Sequence, residues 1–269
     1  MRKISVCIPC FNASEFLLKT LESVYRSSYK NFEVHVIDNA STDGTVKIVE
    51  IFKKKHANLY LHKNKRNIGM FANMNKCIDI CTTKYLKIVC ADDLLSIHGL
   101  KHSIGIMERN SDVVLVYGAS GVINEKGSVI LTRRFFRKDK KLNGGVLINK
   151  ILQTGRNPIG EPTGILLRTS VLKRKKLRFN TDFRYVSDLE LWIKMLHSGN
   201  GYYCNEILSN FRIHKNQGTN RLFRRAIDEH IMLFSKYSEE FGLRLIDYFS
   251  LYIKLVFYFL LKMIFLYKI

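Results

Sequence analysis

Short apolar runs alternate with helical repeats along the first third of the chain. Strand-like runs rich in β-branched residues occur at 4–8, 32–37, 58–61 and 85–89. Between them, aliphatic residues recur at the three- and four-residue spacing of an amphipathic helix, as they do over about 13–26. Repeated strand–helix alternation predicts a mainly parallel sheet covered by helices on both faces.

The pattern changes after Asp93. A helix is predicted over 97–108 and a strand over 113–117, followed by a hairpin with Gly127 at its turn. Short strands at 165–167 and 207–213 flank a helix over 188–196, and two of the three prolines stand in a loop over 158–164. The second part of the chain is therefore predicted to be a mixed α/β layer.

Carboxylates stand where predicted strands end. Asp38 follows the second strand, and Asp92 and Asp93 follow the fourth. Open α/β sheets bind ligands just beyond the carboxyl ends of their strands. A carboxylate pair there suits a divalent metal that grips a diphosphate, although an isolated Asp-Asp pair is also typical of a solvated acidic turn.

The net charge of the chain indicates which classes of partner it binds. Its 269 residues carry a formal net charge of +21, which favours nucleic acid, an anionic membrane surface or a phosphorylated substrate. Six cysteines in a chain of this length do not indicate a small disulfide scaffold. Because Met1, Arg2 and Lys3 lead directly into a strand, no signal peptide is predicted, and a cytoplasmic setting with reduced thiols is expected.

Residues 248–269 are almost all aromatic or aliphatic. They reach the length of about 20 residues that a membrane-spanning helix needs, but Lys254 and Lys262 interrupt them eight residues apart, near one face of a helix. A helix that lies in the membrane interface is therefore predicted, with a helix docked on the protein's own core as the alternative. The chain is divided accordingly into an α/β domain over 1–215 and a C-terminal helical region over 216–269.

Five segments occur together in a characteristic order. They are Ser5-Val6-Cys7-Ile8-Pro9-Cys10-Phe11-Asn12, Val36-Ile37-Asp38-Asn39-Ala40-Ser41-Thr42-Asp43-Gly44-Thr45, Asn67-Ile68-Gly69, Ala91-Asp92-Asp93, and Asp188 with Leu191-Trp192. With them the chain resembles, over about residues 3–215, the inverting family 2 glycosyltransferases of the bacterial surface-polysaccharide type. The resemblance implies a GT-A fold, which is a Rossmann-like, mainly parallel sheet with helices on both faces; the tail is expected to add a membrane-associating helix.

The resemblance implies roles for the matching residues. The nucleotide-sugar pocket is expected to include Pro9, Phe11, Asn12, Asp38, Asn39, Asn67, Gly69, Ala91 and Asp92. Within it, Asp38 is expected at the base and ribose, and Asp92 on a Mn²⁺ or Mg²⁺ ion that bridges the diphosphate. His214 is expected to contact the metal or the diphosphate. Asp188 is expected to be the catalytic base, kept ionised by its place at a helix start; without the resemblance it would be interpreted as a plain N-cap.

The implied reaction and partners follow. Inversion is a single displacement, for which one carboxylate base and a stabilised diphosphate leaving group suffice. The donor is expected to be a UDP- or dTDP-sugar. The apolar tail and basic charge indicate a glycan acceptor, lipid-linked, at the cytoplasmic side of the cell membrane, with the protein held there peripherally or monotopically. The Gln-x-x-Arg-Trp signature of processive members is absent, so transfer of a single sugar is expected.

The chain departs from the family pattern at two positions. Cys90 occupies the first position of the Asp-x-Asp motif, to which a ribose contact is usually assigned, and Asn39 replaces the second of two consecutive aspartates. Both changes lower the negative charge of the site, which bears on metal affinity and nucleotide choice.

Other interpretations remain open to test. A non-catalytic protein that binds nucleic acid or membrane would explain the charge, but no nucleic-acid-binding motif accompanies it. A dinucleotide-dependent oxidoreductase would need a Gly-x-Gly-x-x-Gly turn after the first strand, which is absent.

Three smaller features have simpler interpretations. A zinc site is not expected from Cys7 and Cys10, because no second Cys-x-x-Cys follows. His98 and His102 lack the glutamate of a zinc-protease motif and are expected on an exposed helix face. Trp192 fits equally a core position and an acceptor-side wall.

Overall fold

A mixed sheet of ten strands lies at the centre of the computed structural model, which describes residues 3–215, 223–244, 246–247 and 249–257. The strands are β1 (Ile4–Cys10), β2 (Phe32–Asp38), β3 (Leu59–Lys63), β4 (Tyr85–Ile88), β5 (Leu94–Leu95), β6 (Val113–Ile123), β7 (Val129–Arg133), β8 (Lys140–Leu142), β9 (Leu166–Arg168) and β10 (Asn200–Arg212). Their order is β3-β2-β1-β4-β9-β6-β10-β5, with β7 beside β6 and β8 beside β10.

The helices cover both faces of the sheet. They are α1 (Leu17–Tyr25), α2 (Thr45–Lys53), α3 (Met70–Ile80), α4 (Gly99–Arg109), α5 (Gly144–Thr154), α6 (Thr169–Arg174), α7 (Ser187–Leu196) and α8 (Phe223–Ser238). One apolar cluster joins α1, α2 and α4 to one face, and another joins α3, α5, α6, α7 and α8 to the other. The predicted α/β architecture with helices on both faces is confirmed.

The first four long strands form the parallel half of the sheet. β1 is central, with Ile4 opposite Phe32 on one side and Tyr85 on the other. Because both faces are covered, β1 and β4 are buried almost throughout, which is why their sequences are mostly apolar, with Ser5 and Lys87 as the polar exceptions. The alternation of strand and helix predicted for this region is confirmed.

The second half of the sheet is mixed, as predicted. β9 lies antiparallel between β4 and β6, whereas β10 runs parallel to β6. Gly127 has a φ of +93° at the turn between β6 and β7. The sequence underestimated two strands, since β6 continues to Ile123 and β10 begins at Asn200.

Close packing explains why the second half of β6 was not predicted from the sequence. Its second half contains Gly118, where an added Cβ would lie 2.6 Å from the carbonyl oxygen of Cys204, and Gly121, where it would lie 2.2 Å from Oδ1 of Asn210. Small residues are therefore favoured where β10 lies close beside β6. Because glycines replace apolar residues there, the sequence lacks the apolar pattern that indicates a strand.

The described part of the tail is a helix over 249–257 that packs on the protein. Leu251 and Leu255 are buried in the same cluster as α5 and α7, whereas Phe249, Ile253 and Phe257 are exposed. Tyr248 and residues 258–269, with Lys262, lie outside the described residues. Among the helices that the structure describes, none is long and apolar enough to cross a membrane.

Candidate active site

Two loops meet at the carboxyl edge of the parallel strands. The loop after β1 exposes Phe11 and places Asn12 in the left-handed region, with φ of +47°. The backbone N–H of Asn12 donates to Oγ of Ser41 at 2.9 Å, and its side-chain oxygen accepts from the backbone N–H of Thr42 at 2.8 Å. Asparagine tolerates this conformation better than most residues. The predicted pocket residues Phe11 and Asn12 therefore lie beside the loop that follows β2.

Asp38 forms the floor under these loops. It is almost fully buried at the end of β2, next to Pro9 and Cys10 in the register of β1. Its Oδ2 accepts from the backbone N–H of Ser41 at 3.1 Å, and the Cys10 thiol donates to Oδ1 at 3.9 Å. Burial, followed by the charge of Asp38, raises the pKa of Cys10, so this cysteine stays a thiol. The predicted contact of Asp38 with a nucleotide stays a prediction.

Asn39 organises the segment Asn67-Ile68-Gly69. Its side-chain oxygen accepts from Asn64 Nδ2 at 2.9 Å and from the backbone N–H of Ile68 at 3.0 Å. Its amide nitrogen donates to Oδ1 of Asn67 at 2.8 Å. Gly69 adopts a φ of +89°, which favours glycine. A carboxylate at this position could not donate the hydrogen bond to Asn67, so the replacement of the family's aspartate by Asn39 makes this contact possible.

Asp92 and His214 come together at the end of β4 and β10. Nε2 of His214 lies 2.9 Å from Oδ2 of Asp92, and both side chains are partly exposed. The His214 ring also packs against Phe16, with centroids 5.0 Å apart. Residues 122 positions apart in the sequence are thus in contact, while the predicted contacts of Asp92 and His214 with a metal and a diphosphate stay predictions. Ala91, also predicted for the pocket, is nearly buried beneath them.

Asp93 has a structural role instead. Its Oδ2 accepts from the Thr163 hydroxyl at 2.6 Å, and its Oδ1 accepts from the backbone N–H of Arg212 at 2.9 Å. Burial, followed by the charge of Asp92, raises its pKa well above the ordinary value. The two adjacent carboxylates therefore do not act alike: Asp92 faces the site and Asp93 joins three segments beneath it.

Cys90 sits close to both carboxylates. One ligand atom from each of Cys90, Asp92 and Asp93 lies within 4.8 Å of the others. Burial, then the charges of Asp93 and Asp92, raises the pKa of the Cys90 thiol well above its usual range. Asp93 already accepts two hydrogen bonds and is buried, whereas Asp92 is partly exposed, so Asp92 with the neighbouring His214 is the more accessible metal-binding pair.

Asp188 is the second residue of α7 and is partly buried. Burial raises its pKa to about 7, while the backbone N–H of Leu189, which donates to Oδ1 at 2.7 Å, partly offsets this effect. The prediction that the helix start keeps Asp188 firmly ionised is therefore wrong, because desolvation outweighs the helix dipole here.

The loop over 158–164, which contains two prolines, influences both Asp188 and the residues next to Asp92. Glu161 in this loop raises the pKa of Asp188, of Cys90 and of Asp93 through its charge. Arg133 holds Glu161 with two hydrogen bonds, of 2.7 and 2.8 Å. One carboxylate thus acts on both parts of the candidate site.

Sequence reasoning missed several residues of this site. Thr163 accepts from the backbone N–H of Cys90 at 3.0 Å, and the buried Arg212 donates from Nε to the carbonyl oxygen of Asp92 at 2.7 Å. The proline-containing loop was the signal for Glu161 and Thr163. No local pattern indicated that Arg133, on a hairpin strand, would reach this loop.

Trp192, the two histidines and the two cysteines can now be placed in the fold. Trp192 is fully buried and donates from Nε1 to the carbonyl oxygen of Gly160 at 3.2 Å, so it is a core residue that supports the loop over 158–164. His98, the N-cap residue of α4, and His102, within α4, are both exposed as expected. Within the described residues, Cys7 and Cys10 belong to no cluster that could hold a metal.

The family model for glycosyl transferase family 2 matches residues 5–175. A Bacillus subtilis protein described as putative glycosyltransferase EpsE is 26% identical over 238 residues, which cover 86% of this chain and 81% of that protein. An uncharacterized glycosyltransferase of Haemophilus influenzae is 27% identical over 216 residues, which cover 80% of this chain and 66% of that protein.

Solved structures share the fold. S. aureus TarS 1-349 in complex with UDP-GlcNAc superposes with a TM-score of 0.69 at 18% identity, covering 86% of this chain and 66% of TarS 1-349. The mannosyltransferase PcManGT from Pyrobaculum calidifontis, in complex with GDP-Man and Mn²⁺, gives a TM-score of 0.67 at 19% identity, covering 95% of this chain and 74% of that one. The family match spans more than half of the sequence, and the chain belongs to glycosyltransferase family 2.

Proposed function

We propose that the chain is an inverting, non-processive glycosyltransferase that moves one sugar from a nucleotide-diphosphate sugar to a hydroxyl of a glycan. The observation that carries the proposal is the Asp92–His214 pair at 2.9 Å, at the sheet edge that also bears the Asp38 loop. Family membership supports it. A donor with UDP or dTDP is proposed, and the TarS structure with UDP-GlcNAc is a relative in fold that supports this choice.

The residues at the strand ends fit a divalent metal. Asp92 offers a carboxylate oxygen and His214 an imidazole nitrogen, both partly exposed. Carboxylates suit Mn²⁺ and Mg²⁺ alike, whereas imidazole suits Mn²⁺ better. When bound, such an ion would stabilise the charge that develops on the leaving diphosphate. Asp92 and His214 are therefore proposed to hold Mn²⁺ or Mg²⁺, with Mn²⁺ the better fit.

Asp188 is proposed as the base. With a pKa of about 7, its carboxylate can take the proton of an acceptor hydroxyl near neutral pH. The acceptor oxygen then forms a bond to the anomeric carbon as the bond from that carbon to the diphosphate breaks, and the electron pair leaves on the diphosphate. A single displacement of this kind inverts the anomeric configuration.

The acceptor is proposed to be a lipid-linked glycan at the cytoplasmic side of the cell membrane, as in surface-polysaccharide assembly. In this proposal, residues 1–215 carry the chemistry and the region over 216–269 contacts the membrane. The exposed apolar side chains Phe249, Ile253 and Phe257 are spaced four residues apart on the tail helix, which places them along one stripe. An apolar stripe beside a strongly basic protein suits an anionic membrane surface.

The experiment that tests the donor site is thermal unfolding with a panel of nucleotide sugars, with and without Mn²⁺. A ligand that binds only the folded state raises the melting temperature by mass action. We expect a Mn²⁺-dependent increase with one UDP- or dTDP-sugar, and loss of that increase in Asp92→Asn but not in the exposed surface control Asp182→Asn.

The opposite result would overturn the proposed donor site. If no nucleotide sugar raises the melting temperature while DNA or RNA binds in a salt-sensitive manner, the donor site is wrong and the non-catalytic binding function takes its place. The comparisons give that alternative no support.

A further inference from the structure

Glu229 of α8 is a buried carboxylate outside the proposed donor and metal residues. It lies against residues 184–186, the turn that leads into α7 and therefore into Asp188. A buried carboxylate is costly unless its oxygens accept hydrogen bonds, so its partners indicate what it does.

Three consecutive backbone N–H groups donate to Glu229. Arg184 donates to Oε1 at 2.8 Å, while Tyr185 and Val186 donate to Oε2 at 2.7 and 3.1 Å. Nε of Arg225, one turn earlier on α8, is 3.3 Å from Oε1. Both oxygens are thus used, mostly by the backbone of a single turn.

These contacts anchor the segment that precedes α7. The N-cap residue of α7 is Val186, which has no side chain able to accept a hydrogen bond. An N-cap side chain would accept from the second or third helical residue, whereas Glu229, 43 residues further along the chain, accepts from residues 184–186 before the helix. Glu229 therefore holds the entering backbone in place and adds a negative charge near the helix start, where such a charge is favourable.

A second contact fixes α8 against α7. The fully buried Glu190 accepts from Nζ of Lys194 at 2.8 Å and from Nζ of Lys236 at 2.6 Å. Lys236 holds the later part of α8 to the body of α7, whereas Glu229 holds the turn before it. Asp188 lies between these two contacts along the chain.

We propose that Glu229 is a positioning residue for Asp188, through which the C-terminal helix α8 sets the direction of the proposed base. This inference rests on the proposed function, in which Asp188 takes the acceptor proton. The hydrogen bonds of Glu229 hold backbone N–H groups of residues 184–186, which lead into α7, so its action on Asp188 is geometric. A misplacement of about 1 Å remote from the reacting atoms can lower a rate by roughly 100-fold.

The test uses the full chain and the variant Glu229→Gln, in which one acceptor oxygen becomes an NH₂ group facing backbone N–H donors. We expect kcat to fall about 10- to 100-fold, with the KM for the nucleotide sugar and its Mn²⁺-dependent thermal shift unchanged. The control Asp228→Asn removes the same charge from an exposed neighbour on α8 and is expected to keep the wild-type kcat.

The double variant Asp188→Asn/Glu229→Gln separates positioning from general loosening. If Glu229 acts through Asp188, the double variant retains the same residual turnover as Asp188→Asn alone. A further loss in the double variant, or a wild-type kcat in Glu229→Gln, would overturn the inference.

Should Glu229→Gln fail to fold, Glu229→Asp, which keeps the charge but shortens the reach, is measured in its place against the same outcomes. Full activity in Asp188→Asn would instead overturn the assignment of the base and leave donor binding intact.

Discussion

At the scale of single residues, Asp188 is expected to favour catalysis at the cost of stability. Its pKa is raised to about 7 in the folded protein by burial, so the folded state holds the proton more tightly than the unfolded state does. The sign of the linkage is that stability is lost as pH rises through about 7. Above that pH the buried charge destabilises the fold, while the same charge is the form that accepts a proton.

Asp188→Asn is therefore expected to stabilise the protein by roughly 1–2 kcal/mol at pH 8 and to lower transfer by about 100- to 10,000-fold. Chemical denaturation at pH 5 and pH 8, beside turnover assays, checks both. In the wild type, kcat/KM should rise through about pH 7. A flat pH profile, or a variant less stable than wild type at pH 8, would contradict this view of Asp188.

Lys87 has a different pKa shift with a clear consequence. It is buried in β4, and burial lowers its pKa to about 7. The unfolded chain binds this proton more tightly, so stability should rise with pH between about 7 and 10. We expect Lys87→Met to add about 2–4 kcal/mol to the free energy of unfolding at pH 7, since a buried charge is removed.

Urea denaturation at pH 7 and pH 9.5 tests the Lys87 prediction. The gain of the variant over the wild type should shrink at the higher pH, and Lys65→Met, at an exposed position, should show no gain at either pH. A variant that is less stable than wild type at pH 7 would mean that the ammonium group has a compensating partner.

At the scale of elements, Gly155 determines how the tail docks. It ends α5 in the left-handed region with φ of +62°, and an added Cβ would lie 2.6 Å from Cδ1 of Leu251 and 2.8 Å from Cδ2 of Leu255. Gly155→Ala combines backbone strain with a clash, so a loss of about 2 kcal/mol or more is expected.

Thermal unfolding and limited proteolysis of the tail measure this loss. Gly145→Ala is the matched control in the same helix, because its Cβ would approach only Oδ1 of Asn143, at 3.4 Å. It should be neutral or stabilise by up to about 1 kcal/mol. Equal melting temperatures for Gly155→Ala and Gly145→Ala would show that the tail does not depend on this contact.

The element patterns also show how far local sequence reaches. The buried strands β1, β2 and β4 were predicted because each is a short segment rich in β-branched and other apolar residues. The helix α5 was not predicted, although its apolar residues pack against α7, because its glycine-rich start resembles a loop. Gly144 is required there, since its Cβ would lie 2.1 Å from the carbonyl oxygen of Leu196.

At the scale of the whole molecule, the proposed membrane contact depends on side chains that the fold leaves uncovered. Ile253 on the tail helix and Ile51 on α2 are both 53% exposed. Ile253→Glu is expected to reduce sedimentation with vesicles of phosphatidylglycerol and phosphatidylethanolamine about 10-fold or more, because a charge on the inserted face is unfavourable.

Ile51→Glu, the same change at an equally exposed site, should sediment as the wild type does, and both variants should keep the wild-type melting temperature. If Ile253→Glu still sediments fully, the tail stripe is not the membrane contact. If both variants detach equally, the attachment is a general effect of the net charge of +21.

The sequence by itself determined the strand–helix alternation, the carboxylates at the strand ends and the family resemblance, because each depends on residues close together in the chain. Only the tertiary structure decided which of two adjacent carboxylates faces the site. Asp93 is turned into a buried link by Thr163 and Arg212, which come from two distant segments. It also decided the pKa of Asp188 and the anchoring of the preceding segment by Glu229, since burial and contacts across 43 residues arise only when the chain is folded.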